Sequence, residues 1–78
     1  MAFITQFFPL PSDGGGRRHS ECACGWKVVE RDGVRVVQLD TYGSHDRQDR
    51  GTVSQSLQMD EERARELVQI LRNAFPAL

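Results

Sequence analysis

Apolar and polar positions alternate with the two-residue period of β-strands through the middle of this chain. Residues 26–31 form the first such stretch. The dipeptide Asp32-Gly33 that follows it supplies the positive φ angles of a two-residue hairpin turn. The return stretch, residues 34–42, carries apolar or aromatic side chains on both faces, which is typical of a central strand. The pattern therefore predicts a β-hairpin whose second strand lies inside a sheet.

A third alternating stretch, residues 52–59, predicts one more strand with an apolar side and a polar side. The apolar side comprises Val53, Leu57 and Met59. The polar side comprises Thr52, Ser54, Ser56 and Gln58.

The period then changes to that of an amphipathic helix, and Asp60 is a residue type that caps helix N-termini. Glu61 and Glu62 complement the helix dipole in the first turn, and Pro76 ends the element. The helix carries one apolar stripe, which either packs on its own sheet or contacts the helix of a second copy. For such a dimer interface we select Leu67, Ile70, Leu71 and Phe75.

The N-terminal part divides into an apolar arm, residues 1–11, and a glycine-rich flexible linker, residues 12–25, ahead of the ββ-β-α domain at residues 26–78. Residues 3–8 are apolar enough to form a short edge strand, within one chain or swapped across a dimer, or an arm that docks on a partner protein. Pro9 and Pro11 end this segment because proline cannot donate to a sheet ladder.

Length and charge limit the fold and the partners. A chain of 78 residues hides only about 60–65% of its unfolded surface, and a sheet with one helix leaves a face open. We therefore expect an α+β domain, a small antiparallel sheet of about three to four strands followed by one C-terminal helix, that forms a homodimer. The net charge of −1 gives no overall attraction to nucleic acid, so an anion site must be local.

The chain has no assembled catalytic constellation, and its run of glycines, Gly14 to Gly16, lacks the lysine of a phosphate-binding loop. We expect neither enzyme activity nor a cofactor. No window approaches the ~20 apolar residues of a membrane span, and the cysteine usage fits a reducing cytoplasm. The sequence thus predicts a cytoplasmic protein without a membrane partner.

A zinc site is a third possibility. Its candidate ligands are His19, Cys22, Cys24 and His45. The C-x-C spacing is stiffer than the usual C-x2-C, so we expect no metal and instead one cysteine in the core with the other half exposed.

Proteins that bind single strands without sequence preference need cationic groups along a groove and exposed rings on which bases stack. The hairpin and the loop after it carry the cations, although Trp26 has the alternative of a core position. The candidate nucleic-acid-binding residues are Trp26, Lys27, Arg31, Arg35, Tyr42, Arg47, Arg50, Thr52 and Ser54. We expect that replacing both Arg47 and Arg50 with alanine would weaken binding.

The order of these elements resembles the positive-cofactor-four-like, transcriptional-coactivator type of single-stranded-DNA-binding fold. The likeness covers about residues 26–75: hairpin residues 27–42, a charged loop, a Gly-led strand at residues 51–59, and the helix after Asp60. It implies a curved antiparallel sheet, dimerisation through the helices, and nucleic acid lying over the β-ribbons. The hairpin at residues 30–32 is nearly neutral, whereas the hairpins of that family are rich in lysine.

Together these observations predict a small non-enzymatic protein that binds single-stranded DNA or RNA over its sheet with little sequence preference, in a role related to transcription. The alternative is a protein-interaction or inhibitor module, of phage or regulatory type, that uses its dimeric surface and the apolar arm.

Overall fold

The computed structural model describes residues 1–12, 14–43 and 52–78. Four strands form one sheet in the order β1-β4-β3-β2, and a single helix closes the chain. The elements are β1 (Ala2–Phe3), β2 (Ala23–Arg31), β3 (Val34–Tyr42), β4 (Val53–Asp60) and α1 (Glu61–Ala74). This arrangement confirms the predicted α+β fold with one C-terminal helix.

The predicted hairpin joins β2 to β3. Asp32 and Gly33 have φ angles of 51° and 78°, and a turn with two positive φ angles matches the right-handed twist of the strands beside it. The register runs without a break from Arg31 opposite Val34 to Ala23 opposite Tyr42. The first strand therefore begins at Ala23, earlier than the alternation at residues 26–31 indicates.

Strand β3 is a central strand, as predicted, because it pairs antiparallel with both β2 and β4. A bulge interrupts the β3–β4 ladder, where Thr41 lies opposite Gln55 but Tyr42 lies opposite Val53. A bulge inserts one extra residue and shifts which side chains share a face. Val53 therefore faces the same side as Tyr42, and the expectation that it shares a face with Leu57 and Met59 is wrong.

The N-terminal segment forms an edge strand of its own sheet. Ala2 and Phe3 pair parallel with Leu57 and Gln58, and the Ile4 amide continues the ladder by donating to the Gln58 carbonyl at 2.9 Å. One arginine of the helix, Arg63, donates to the Thr5 carbonyl oxygen at 2.6 Å. These contacts fix the arm across the free edge of β4, which is one of the arrangements left open by the sequence.

The helix begins and ends where its capping residues predict. The Asp60 carboxylate accepts a hydrogen bond from the Arg63 amide at 3.0 Å, which satisfies one of the free donors in the first turn. Arg65 pairs with Glu61 at 3.1 Å, one turn away. At the other end, the Phe75 amide donates to the Leu71 carbonyl at 2.8 Å. Helix α1 contacts β4 and β3.

The core of the single chain is very small. Within the described residues, only Val36 and Met59 are buried apolar residues, each 3% exposed, and the helix contributes no buried residue. The accessible surface of the chain is 7110 Å², whereas a compact monomer of 8.8 kDa exposes about 4,800 Å². The Cα radius of gyration is 14.7 Å, against about 11.5 Å for a compact domain of this length.

Candidate functional site on the polar face

The register divides the sheet into two faces of different chemistry, because successive side chains of a strand point to opposite sides and paired residues share a side. We call the first the apolar face. It carries Trp26, Val28, Val37, Leu39, Leu57 and Met59. We call the second the polar face. It carries Lys27, Arg31, Gln38, Asp40, Tyr42, Ser56 and Gln58, with Val29 and Val36 toward the hairpin turn.

A chain of hydrogen bonds crosses the middle of the polar face. The Gln58 side-chain NH2 group donates to the side-chain oxygen of Gln38, Oε1, at 2.7 Å. The side-chain NH2 group of Gln38 in turn donates to both carboxylate oxygens of Asp40 at 3.1 Å. The Ser56 hydroxyl donates to Asp40 Oδ1 at 2.6 Å. The Gln38 and Ser56 donors therefore meet at one carboxylate, and the Gln58 amide holds Gln38 in place from the other side.

Asp40 is half-buried and lies near the centre of this face. The hydrogen bond from Ser56, followed by that from Gln38 and by the positive charge of Lys27, lowers the pKa of the Asp40 carboxyl. Hydrogen bonds to the charged form of a carboxylate stabilise that form. Asp40 is therefore ionised at neutral pH, and the polar face has a fixed negative charge at its middle.

The polar face is concave. Arg31 and Phe3 belong to the two outermost strands, yet the guanidinium carbon lies 6.0 Å from the centre of the phenyl ring. In a flat sheet, three strand spacings and the four positions between Lys27 and Arg31 would separate the Cα atoms of Arg31 and Phe3 by roughly 19 Å. The two side chains are too short to meet across that distance, so the sheet twists and curves toward this face.

A second ring lies at the opposite end of the polar face. Tyr42 is half-buried, and its Cε2 atom would lie 3.4 Å from a Cβ added at Gly25. The ring therefore covers the backbone of the neighbouring strand β2, at a position where a larger side chain would compete with it. Phe3, at the β1 edge, and Tyr42, at the end of β3, thus lie on the same face of the sheet.

The structure divides the predicted nucleic-acid-binding residues between the two faces. Lys27, Arg31 and Tyr42 lie on the polar face, whereas Trp26 and Arg35 lie on the other. These five residues therefore do not share one face of the sheet, because adjacent strand residues alternate in direction. Thr52 and Ser54 are exposed, and Ser54 lines a shallow concavity beside Asp40 on the polar side. Arg47 and Arg50 lie outside the described residues.

The apolar face and the helix leave large apolar side chains open to solvent. The Trp26 side chain is 73% exposed, so it has no core position within one chain, and its neighbours Val28 and Leu57 are exposed as well. Of the four residues selected for a dimer interface, Leu67 is half-buried. The other three are exposed, up to 61% at the end of the helix: Ile70, Leu71 and Phe75.

The candidate metal ligands do not form a site within the part of the chain that the structure describes. No group of three or more histidine, cysteine, aspartate or glutamate side chains is close enough there to hold an ion. Cys22 and Cys24 are both free and exposed. The expectation that one of them lies in the core is wrong, because Cys24 lies near the start of an edge strand. His19 is exposed, and His45 lies outside the described residues.

Sequence reasoning missed the contributions of Phe3, Gln38 and Asp40 to this face. A signal was present in β3, because Gln38, Asp40 and Tyr42 recur with a period of two and are matched on β4 by Ser56 and Gln58. The position of Phe3 carried no such signal, since it depends on a parallel pairing with a distant strand.

The chain matches no family model, and comparisons with curated proteins and with solved structures likewise find no match. Within residues 1–12, 14–43 and 52–78, no helix has the length and apolar character needed to cross a membrane.

Proposed function

We propose that this protein is a non-enzymatic homodimer that binds a single strand of nucleic acid on the polar face of each sheet. One observation carries the proposal: two cationic side chains, Lys27 and Arg31, share one concave face with two aromatic rings, Phe3 and Tyr42. Such a combination of charge and rings is what binding of single strands without strong sequence preference requires.

Each part of this face has a role in the proposal. Lys27 and Arg31 contact phosphates along the β2 side, and the rings of Phe3 and Tyr42 stack on bases at the two ends. Each stacked base contributes roughly 1–3 kcal/mol. Phosphate contacts release counterions, so affinity falls as the salt concentration rises. Arg47 and Arg50, which follow β3 in the sequence and lie outside the described residues, remain predicted members of the same site.

The apolar face and α1 support the second half of the proposal, a homodimer. The chain exposes about half again as much surface as a compact monomer of its mass. A stable interface buries about 800 Å² per partner, and the exposed apolar residues of the helix and of the apolar face provide a surface of that kind. A transcription-related role is part of the proposal through the family resemblance alone.

A second candidate function is the capture of a different protein on the apolar face. The exposed Trp26 side chain favours it, because tryptophan is among the residues that dominate binding energy at protein interfaces. This candidate requires that the isolated protein does not cover Trp26 by self-association.

The test is fluorescence anisotropy of a labelled single-stranded 20-mer with two arginine variants of the same hairpin. Arg31→Ala and Arg35→Ala remove the same charge from opposite faces of the sheet. Because a hydrogen bond to a charged group contributes about 1.5 kcal/mol or more, Arg31→Ala should weaken binding about tenfold. Arg35→Ala should stay within about twofold of the wild type.

Salt and duplex competitor complete the test. Saturable binding that favours the single strand and weakens from low to moderate salt agrees with the proposal. An equal loss of affinity in both arginine variants would show that the ligand does not bind specifically on the polar face. Absence of binding at tens of micromolar protein in low salt would refute the nucleic-acid function and leave protein capture as the candidate to pursue.

A further inference from the structure

We infer that the polar face discriminates between bases and binds cytosine more tightly than uracil or thymine, because it presents hydrogen-bond acceptors to the ligand. This inference rests on the proposed function and adds a specificity to it. Its physical basis is the direction of the hydrogen-bond network around Asp40.

The orientation of each amide in the network follows from the carboxylate. An ionised carboxylate accepts hydrogen bonds and donates none, so the side-chain NH2 group of Gln38 must face Asp40. The carbonyl oxygen of Gln38 then faces β4, and Gln58 must present its own NH2 group to it, as observed at 2.7 Å. The reverse orientation would bring an amide oxygen against the negative charge.

This orientation leaves acceptors facing the ligand. The Gln58 side-chain oxygen has no hydrogen-bond partner among the described residues. The Asp40 carboxylate accepts from Ser56 and Gln38, and the two oxygens of a carboxylate together offer about four acceptor positions. One position therefore remains for an outside donor. The centre of the polar face favours a ligand group that carries N–H bonds.

The same charge determines how a nucleic acid lies on the face. Phosphates are repelled by Asp40 and attracted by Lys27 and Arg31, so the backbone follows the β2 side while the bases point inward, toward Asp40 and Gln58. Cytosine presents an amino group at the position where uracil and thymine present a carbonyl oxygen. That amino group donates to the free acceptors, whereas the carbonyl oxygen meets the carboxylate unfavourably. Uracil and thymine have one N–H, at N3, but it lies between two carbonyl oxygens, so that placing it at Asp40 also brings a carbonyl oxygen toward the carboxylate.

A matched pair of ligands tests this inference. Labelled (dC)20 and (dU)20 have rings of the same size and differ at the amino or carbonyl position and at the neighbouring ring nitrogen. We expect (dC)20 to bind about fivefold more tightly than (dU)20 at pH 8 in low salt, the discrimination expected of about one hydrogen bond. Binding is followed by anisotropy with the full chain.

Two variants assign the discrimination to Asp40. Asp40→Asn removes the negative charge and adds a donor, so the ratio between the two ligands should fall to within about twofold while the affinity for (dU)20 rises. Ser56→Ala removes one neutral partner and keeps the carboxylate, so it should retain the preference for (dC)20. Thermal melting of both variants identifies any loss of folding.

The possible results separate the two claims. Equal affinity of the wild type for the two ligands, or tighter binding of (dU)20, overturns the inference while leaving the proposed function in place. An unchanged ratio in a folded Asp40→Asn variant also overturns it, because another group would then select the base. Failure of both ligands to bind refutes the proposed function and the inference together.

Discussion

The two faces of the sheet are built from the same three long strands, yet they differ in how far their side chains find partners within a single chain. On the polar face, Gln38, Asp40, Ser56 and Gln58 are joined by hydrogen bonds. On the apolar face, Trp26 is largely open to solvent. The polar face is thus organised by contacts within one chain, whereas the apolar face is not covered within it, and this contrast is what the proposed ligand site and the proposed dimer rest on.

This division has an energetic reason. Polar side chains can satisfy one another locally through hydrogen bonds across neighbouring strands, whereas apolar side chains are stabilised only when enough other surface covers them. A helix that contributes no buried residue cannot cover an entire face of the sheet. In the proposed homodimer, the helix or the sheet of another copy covers it.

The largest expected effect is on the apolar side. Leu71→Glu introduces a charge into the exposed apolar stripe of α1, in both copies of the proposed dimer. Burial of a leucine contributes at least about 1.5 kcal/mol per copy, so the dimer dissociation constant should rise at least about a hundredfold. Sedimentation equilibrium measures it. Gln69→Glu adds the same charge to an exposed polar position of the same helix and should leave the dimer intact.

Dissociation in both helix variants would show that charge on the helix, and not loss of apolar contact, controls assembly. A dimer unaffected by Leu71→Glu would remove the stripe of α1 from the interface.

An intermediate effect is expected at the edge of the polar face. Phe3→Ala removes the ring that meets Arg31 and is proposed to stack on a base. Because one stacked base contributes roughly 1–3 kcal/mol, single-strand affinity should fall at least about fivefold. Phe8→Ala removes the same ring from a 67% exposed position that belongs to no strand, and it should change the affinity less than twofold. Similar losses in both variants would contradict a role specific to Phe3.

A smaller effect concerns acid and the stability of the polar face. The folded chain lowers the pKa of Asp40 below its ordinary value of 3.8. A carboxyl group with a lowered pKa stabilises the fold above its ordinary value, and that contribution is lost as the pH falls through the folded value. The wild type should therefore lose more thermal stability between pH 7 and pH 3 than Asp40→Asn does. An equal fall in melting temperature between pH 7 and pH 3 for the two proteins would show that the ionised Asp40 carboxylate does not stabilise the fold.

Local rules predicted the parts of the fold that depend on a few neighbouring residues. Asp32-Gly33 specifies a turn with positive φ angles, and Asp60 specifies the start of the helix. Both are decided within a few residues, so no knowledge of distant partners is needed. The alternation of β3 similarly identified a central strand.

Features that depend on distant partners were not predictable in the same way. The parallel pairing of Phe3 with Gln58 requires a free edge on β4, and the bulge at Tyr42 turns Val53 to the other face. Trp26 appeared beside Lys27 as a member of one site, although adjacent residues of a strand face opposite sides. An apolar stripe on a helix predicts that its side chains are buried, but it does not reveal whether the same chain or another chain buries them.

The division of roles between the two faces is tested most sharply at two adjacent residues of β2 that face opposite sides, Trp26 and Lys27. Each alanine variant is measured in two ways. Sedimentation equilibrium reports the dimer, and anisotropy with a single-stranded 20-mer, at protein concentrations where the dimer persists, reports binding. We expect Trp26→Ala to weaken the dimer and to leave the affinity per dimer unchanged, and Lys27→Ala to weaken nucleic-acid binding and to leave the dimer unchanged. Loss of nucleic-acid affinity in a still dimeric Trp26→Ala protein, with no loss in Lys27→Ala, would contradict the division of labour between the two faces.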